Sequence, residues 1–285
     1  TYSLGGSANV AANLRGLLVQ TFLMGVVGAD EKGEILINLS KEKKVDTRGI
    51  LKDQERPTTL KTRVIAQSQH LLRIDKEERK PLSPNLRKAF QEIYENLLPE
   101  VKGVILSDYA KGMFLHDGFC SWLIQEARRQ NRFVMVDPKS PDWKKYEGAT
   151  TITPNLKEFK EVLRRENLKE DNFDKAAEYL IEKYQLDFLV VTLGKEGIYL
   201  YKPGEGGRRF PSQAREVYDV SGAGDTVIAS LSAFYACGLS VEEAVSLANI
   251  CAGIVVGKVG TQPVSFEELE AFLNCSEGGS HGKNN

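Results

Sequence analysis

One stretch of this chain has the residue types for acid–base chemistry at an anion: Glu216-Val-Tyr-Asp-Val-Ser-Gly-Ala-Gly-Asp-Thr-Val-Ile-Ala-Ser230. Gly222, Ala223 and Gly224 leave the backbone uncovered, so successive N–H groups can turn into one concavity. The helix expected from Asp225 onward adds the positive end of its dipole. Such a site suits the charge on a phosphoryl group in transfer, and Asp225 at its mouth could take a proton from an attacking hydroxyl. Val217 to Val220 reads as the end of a short strand, and Val227, Ile228, Leu231, Phe234 and Tyr235 recur at helical spacing. A glycine turn followed by an Asp-capped helix is the plainer account of these residues taken alone.

Other polar residues stand where a fold could bring them to that stretch. Asn9 follows Gly5 and Gly6, in the first turn of a helix that Ser7 could cap and whose apolar face is Val10, Leu14, Leu17 and Leu18. Its amide can donate to and accept from sugar hydroxyls, or simply be solvated. Asn155 and Glu158, one helical turn apart, suit a capping box and equally a phosphate or a hydrated magnesium ion. Asp108 and Lys111 follow a buried-type strand, Val101 to Leu106. Lys139 follows another, Arg132 to Val136. Ligands collect at the carboxyl ends of strands in parallel sheets. From Thr58 to Gln67 the residues alternate, with Lys61 and Arg63 on one side, and His70 to Ile74 continues the pattern as a hairpin partner. This small unit could act as a lid over a ligand, or its basic residues could be a solvated face.

Those elements sit in an order of alternating strands and helices. Further strands are expected at Thr21 to Val27, Thr150 to Thr153, Phe188 to Leu193 and Ile198 to Lys202. Helices are expected after Asp30 to about Lys43, around Trp122, Leu123 and Ala127, from Asn155, from Val241 to Lys258, and from Glu267 to Leu273. The tail from Ser276 is Gly-, Ser- and Asn-rich and reads as disordered.

Length and composition narrow the class. At 285 residues with 41% hydrophobic residues the chain can bury a sizeable core, and no linker divides it. A net charge of −1 offers no bulk basic field for nucleic acid. Four cysteines lack metal-ligand spacing; Cys237 and Cys251 fall in apolar helical patterns as small core residues, and a reducing compartment is expected. No apolar run approaches a membrane span and no signal pattern opens the chain, so the expectation is a cytoplasmic protein. The first residue is Thr1, and the gene product is expected to begin upstream.

Five separated pieces occur in an order that resembles the ribokinase-like (pfkB) carbohydrate kinase family. They are Gly5-Gly-Ser-Ala-Asn9, Asp137-Pro-Lys139, Thr153-Pro-Asn-Leu-Lys-Glu158, Val191-Thr-Leu-Gly-Lys-Glu-Gly197 and Asp219-Val-Ser-Gly-Ala-Gly-Asp225. The resemblance covers roughly residues 1–273. It implies an α/β fold, a three-layer Rossmann-like sandwich spanning about residues 1–275, with a small β lid at about 57–75. It implies ATP, Mg2+ and transfer of the γ-phosphoryl to a sugar hydroxyl. Leu106-Ser-Asp-Tyr-Ala-Lys-Gly112, Val136 to Lys139, Tyr146 to Thr150 and Gly253 to Thr261 look, within the family, like the kinases of D-glycero-D-manno-heptose 7-phosphate, which act at C1. Many of these are fused to an adenylyltransferase in the route to ADP-heptose and lipopolysaccharide. A kinase for another sugar, of fructose or ribose type, or a non-catalytic sugar- or nucleotide-binding module are the alternatives.

The resemblance also assigns roles. Asp225 is the base toward the C1 hydroxyl; Gly222, Ala223 and Gly224 hold the γ-phosphoryl; Asn155 and Glu158 organise magnesium and phosphates through water. Thr192, Gly194 and Gly197 lie at the nucleotide, and Asn249 near adenine. Gly5, Gly6, Asn9 and Asp108 hold the sugar, and Lys61, Arg63, Lys111 and Lys139 are the cations for its phosphate. Asp219 and Ser221 belong to a monovalent cation site, K+ in some relatives. The lid is expected to pair with a second copy, giving a homodimer. Family members also carry a strand ahead of the first Gly pair, with a sugar-binding aspartate; this sequence starts after that position, and the strand is expected to be missing.

Overall fold

The computed structural model describes residues 1–66, 69–115, 118–214 and 217–278. Gln67, Glu216 and residues 279–285 of the expected tail lie outside the described residues. The first half contains α1 (Ser7–Gly16), β1 (Phe22–Gly28), α2 (Glu31–Glu42), β2 (Asp46–Asp53) and a hairpin of β3 (Leu60–Ala66) and β4 (Gln69–Lys76). The middle contains α3 (Pro84–Leu97), β5 (Gly103–Ser107), α4 (Phe119–Arg129), β6 (Phe133–Asp137), β7 (Thr151–Ile152), α5 (Leu156–Arg165) and α6 (Phe173–Tyr184). The chain ends with β8 (Leu189–Thr192), β9 (Ile198–Lys202), β10 (Gly206–Phe210), α7 (Ala223–Ala236), α8 (Val241–Val256) and α9 (Phe266–Gly278).

Strands β5, β6 and β7 are parallel neighbours, and β8, β9 and β10 form an antiparallel meander. Backbone bonds carry β7 into β8: Asp187 N–H donates to Thr150 O at 2.9 Å and Thr192 N–H to Pro154 O at 2.9 Å. A parallel bridge joins Asn155 to Thr192. The carboxyl ends of β5, β6, β7 and β8 therefore open on one side. Alternate residues divide between two cores, as a strand buried on both faces requires. On β6, Val134 and Val136 pack with Tyr94, Leu123, Phe159 and Leu180 of α3–α6, whereas Met135 packs with Ile228 and Leu231 of α7 and Val245 and Ala248 of α8. The result is an α/β sandwich of three layers. Thr226 to Ala233 are all buried, so α7 must be built of small and apolar residues.

Strand β1 pairs with β2 in a separate parallel ladder, and among the described residues β1 and β5 each have one hydrogen-bonded neighbour. Both line a cavity of about 1560 Å³ that continues to the carboxyl ends of the sheet. The β3–β4 hairpin stands apart as its own two-stranded sheet. Among the described residues no helix is long and apolar enough to cross a membrane.

Several expectations need correction. Val217 to Val220 is not a strand: Val217, Tyr218 and Val220 are exposed, and the Tyr218 and Asp219 amides bond the Val256 carbonyl at the end of α8. β-branched and aromatic residues favour a strand only where a neighbour supplies the ladder. The following helix starts at Ala223, two residues before the expected Asp225. Ser7 does not cap α1; Gly6 is the N-cap residue, with no side-chain bond. Cys251 is a buried core residue as expected, but Cys237, at the C-cap of α7, is exposed. Ser276 to Gly278 belong to α9 rather than to a tail.

Candidate active site

The site is built around the first turn of α7. Gly222 takes a left-handed backbone (φ 83°), and a Cβ there would lie 2.9 Å from Asn9 Nδ2. Only glycine fits both conditions. Ala223 and Gly224 follow as the first helical residues, and Gly224 has open space on its exposed side. Asp225 then stands in the turn where the helix N–H groups are unpaired.

The Asp225 carboxylate is clamped at both oxygens. Asn9 Nδ2 donates to Oδ2 at 2.8 Å, and the Tyr109 hydroxyl donates to Oδ1 at 2.6 Å. Burial raises the Asp225 pKa, and these two donors work against that rise. Asn9 is held in turn because α1 is stitched to α7 and to the chain before α9. Asn13 Oδ1 accepts from Thr226 Oγ1 at 3.0 Å and from Val264 N–H at 3.1 Å, and Asn13 Nδ2 donates to Asn9 O at 2.9 Å. Tyr109 was not among the residues singled out by type and spacing; its place in the Leu106 to Gly112 segment, at the carboxyl end of β5, was the signal for it.

Asp137, at the end of β6, is a second residue missed in that way. Burial pushes its carboxyl well above the usual range, with the Asp225 and Glu158 charges adding and Lys139 opposing. Asn155 and Glu158 complete a capping box on α5: Glu158 N–H donates to Asn155 Oδ1 at 3.0 Å, and Asn155 N–H to Glu158 Oε2 at 3.1 Å. Lys139 Nζ takes Glu158 Oε1 at 3.0 Å. Both capping residues still line the cavity, together with Thr192, Lys139, Gly222, Gly224 and Asp225. Gly5, Gly6, Lys61, Arg63, Asp108, Lys111 and Ser221 line it as well.

Two of these are engaged differently from expectation. Asp108, expected at the sugar, is 3% exposed. Its carboxylate accepts from Tyr146 OH at 2.6 Å, from Ala110 N–H at 2.7 Å and from Lys145 Nζ, so it anchors its own loop. Lys111, expected at the phosphate, is ion-paired with Glu77. Gly194, Gly197, Asn249 and Asp219 are not among the lining residues. Asn249 is buried in α8 and donates to Pro211 O at 2.6 Å, and Asp219 Oδ1 accepts from Ser221 N–H at 2.8 Å. Gly197 has a packing reason of its own: at φ 95°, a Cβ would lie 2.0 Å from Phe210 O. Gly197→Ala is therefore expected to destabilise the fold by about 1–3 kcal/mol, read as a lower denaturant midpoint. An unchanged midpoint would show that the β9–β10 region can shift to admit a methyl.

Among the described residues no group of three or more His, Cys, Asp or Glu side chains forms a metal cluster. Asp137 and Glu158 both line the cavity, and the Glu158 charge is among those that raise the Asp137 pKa. That pair fits a magnesium ion held by one or two carboxylates, nucleotide phosphates and water better than it fits a protein-caged metal.

The comparisons agree with this architecture. The model of the pfkB family carbohydrate kinases matches residues 1–268. The chain is 43% identical over 272 residues to the bifunctional protein HldE of Helicobacter pylori strain HPAG1, covering 95% of this chain and 58% of that protein. It thus spans under two thirds of the relative's length. Phosphofructokinase-2 from Escherichia coli, in complex with potassium, superposes with a TM-score of 0.77 at 20% identity, covering 95% of this chain and 87% of that one. Arabidopsis thaliana ribokinase, complexed with ribose and ATP, superposes with a TM-score of 0.75 at 19% identity, with coverage of 95% and 87%. These two show the shared ribokinase-like fold. With the family match running through nearly the whole sandwich and through the Asp225 turn itself, this chain belongs to the pfkB carbohydrate kinases and is a sugar kinase.

Proposed function

We propose that the chain transfers the γ-phosphoryl of ATP to the C1 hydroxyl of D-glycero-D-manno-heptose 7-phosphate, giving the 1,7-bisphosphate used toward ADP-heptose. The observation that carries the kinase chemistry is the Asp225 carboxylate, clamped at both oxygens beside the uncovered N-terminus of α7. Phosphoryl transfer is mostly positioning and electrostatics. The α7 turn at Gly222, Ala223 and Gly224 meets the charge that builds on the transferring group, and Asp225 receives the proton of the attacking hydroxyl. Asn155, Glu158 and Thr192 stand on the nucleotide side, with Gly194 and Asn249 further along it. Asn155 and Glu158 would organise magnesium and the phosphates through water, and the ion would neutralise phosphate charge. We assign Asp219 and Ser221, just ahead of α7, to a monovalent cation such as potassium.

The heptose reading is supported by the Leu106 to Gly112 segment and by the similarity to HldE. Lys61 and Arg63 on β3 line the cavity and supply charge for a substrate that already carries a phosphate. A coupled assay of ADP release by the full-length protein, over a panel of sugars and sugar phosphates, tests the reading. Heptose 7-phosphate is expected to be the preferred acceptor. Preference for fructose, ribose or their phosphates would overturn the substrate, and absence of turnover with every acceptor would overturn the kinase reading of this chain.

The lid also provides a pairing surface. Val64 stands opposite Leu72, and Thr62 opposite Ile74, so these share one face, while Lys61, Arg63 and Arg73 share the other. Val64, Leu72 and Ile74 are exposed. A two-stranded unit with an open apolar face is marginal alone. We propose that it pairs with the lid of a second copy. Sedimentation at micromolar concentration is expected to give a dimer, and Leu72→Glu with Ile74→Glu a monomer. A monomeric parent protein would refute the pairing.

A further inference from the structure

The residue that meets Asp225 from the β5 side is Tyr109. Its hydroxyl donates to Asp225 Oδ1 at 2.6 Å, and its ring lies against the Gly5–Gly6 turn, where a Cβ on Gly6 would meet Tyr109 Cε2 at 3.4 Å. Burial, together with the charges of Asp225 and Asp137, pushes the Tyr109 pKa up, so the phenol keeps its proton and acts toward the carboxylate as a donor. The neighbouring residue fixes where Tyr109 points. Asp108 is gripped by Lys145 and Tyr146 and closes the loop through Ala110 N–H.

We propose that Tyr109 is a positioning residue for phosphoryl transfer, set in place by the Asp108 anchor, which holds Asp225 Oδ1 so that the remaining lone pairs of the carboxylate face the incoming sugar hydroxyl. The proposal rests on the reading of Asp225 as base. A carboxylate has about four acceptor positions. Asn9 and Tyr109 take one on each oxygen, which fixes the carboxylate plane and leaves one on each for the substrate. In the transfer step the sugar oxygen forms its bond to the γ-phosphorus, the bond from that phosphorus to the β–γ bridging oxygen breaks, and ADP leaves. The hydroxyl proton goes to Asp225. Tyr109 keeps its own proton throughout.

Tyr109→Phe keeps the ring against Gly6 and removes one donor. Full-length protein is assayed with ATP and heptose 7-phosphate, or with the acceptor of the panel that the parent protein turns over best. kcat/KM is expected to fall about tenfold, since a charge-assisted bond to the base is lost. The acid limb of the kcat/KM–pH profile is expected to move to higher pH, because one of the two donors that oppose burial is gone. The groups that face Asp225 are Asn9 from α1, which does not titrate, Tyr109 from the β5 loop, and Asp137 from the end of β6, with Lys139 and Glu158 beyond it. All but Tyr109 are unchanged in the variant, so a moved limb reports the lost donor. A fall in rate with an unmoved limb marks Tyr109 as merely structural and overturns the proposal, as does an unchanged rate. Asp225→Asn measured alongside separates the two levels. If it retains turnover, the base reading fails; if it is inactive while Tyr109→Phe is normal, the base reading stands and only the role of Tyr109 falls.

Discussion

Asp225→Asn is expected to lower turnover by about a hundredfold or more while leaving ATP affinity close to that of the parent protein. Loss of a general base removes a transition-state contribution and little ground-state binding. The substitution is unusually well tolerated by this geometry. An amide at position 225 can accept from Asn9 Nδ2 with its oxygen and donate to the Tyr109 oxygen with its nitrogen, so both contacts now made by the carboxylate have a replacement. The fold and the α7 turn should therefore persist, and the lost activity can be assigned to the missing base. The pH profile gives a second reading. A base works deprotonated, so activity is lost as pH falls through its pKa. Burial raises that pKa, which places the acid limb of the parent protein above the ordinary aspartate value of about 3.9. In the Asn variant that limb should vanish from the residual activity. Near-normal turnover in this variant would refute the proposed chemistry.

The second large effect is expected at the lid. Four cations are candidates for the phosphate of the substrate, and two of them already hold carboxylates. Lys111 is paired with Glu77 and Lys139 with Glu158. Lys61 stands opposite Asp75 across the hairpin, but Asp75 is paired with Arg73 at 3.1 Å. Lys61 and Arg63 thus bring charge to the cavity that is not already spent on a carboxylate among the described residues. Lys61→Ala or Arg63→Ala is expected to raise KM for heptose 7-phosphate about tenfold in at least one variant, with KM for ATP unchanged. This corresponds to a charge-assisted bond of about 1.5–3 kcal/mol. If both charges are only solvated surface, the sugar phosphate KM will not move in either variant. In that case the lid has no part in holding the phosphate.

What could be read from the sequence was what the backbone decides locally. The hairpin followed from strict alternation through Leu60 to Ala66, and the α5 start from an Asn and a Glu three residues apart. The turn at Gly222 needed a residue tolerant of positive φ, and glycine announced it. Misreadings came where a local pattern depended on a distant partner. Val217 to Val220 has strand-like residues but, among the described residues, no neighbouring strand to bond. Cys237 has apolar neighbours in sequence, yet it ends α7 at the surface. β10 carries Gly206, Gly207, Arg208 and Arg209 and was invisible to alternation, because it is an edge strand held, among the described residues, by β9 alone. The engagement of Lys111 by Glu77 and of Asp225 by Tyr109 spans 34 and 116 residues of chain, and no periodicity encodes such meetings.

The stitching of α1 to α7 has a consequence for how the protein is made. Asn9 reaches Asp225 across 216 residues, and Asn13 reaches the Val264 amide across 251. Contacts of such sequence separation form late, because a long loop must close before they contribute. On the ribosome, where a chain grows by about 5–20 residues per second, α1 is complete many seconds before its partner has been synthesised. A nascent chain that already includes Asp225 but stops short of Val264 lacks the backbone donor that helps seat Asn13, and through it Asn9. Catalytic competence is thus expected only once synthesis has passed Val264, and a product cut short of it is expected to lose activity although it carries the base and its surrounding turn.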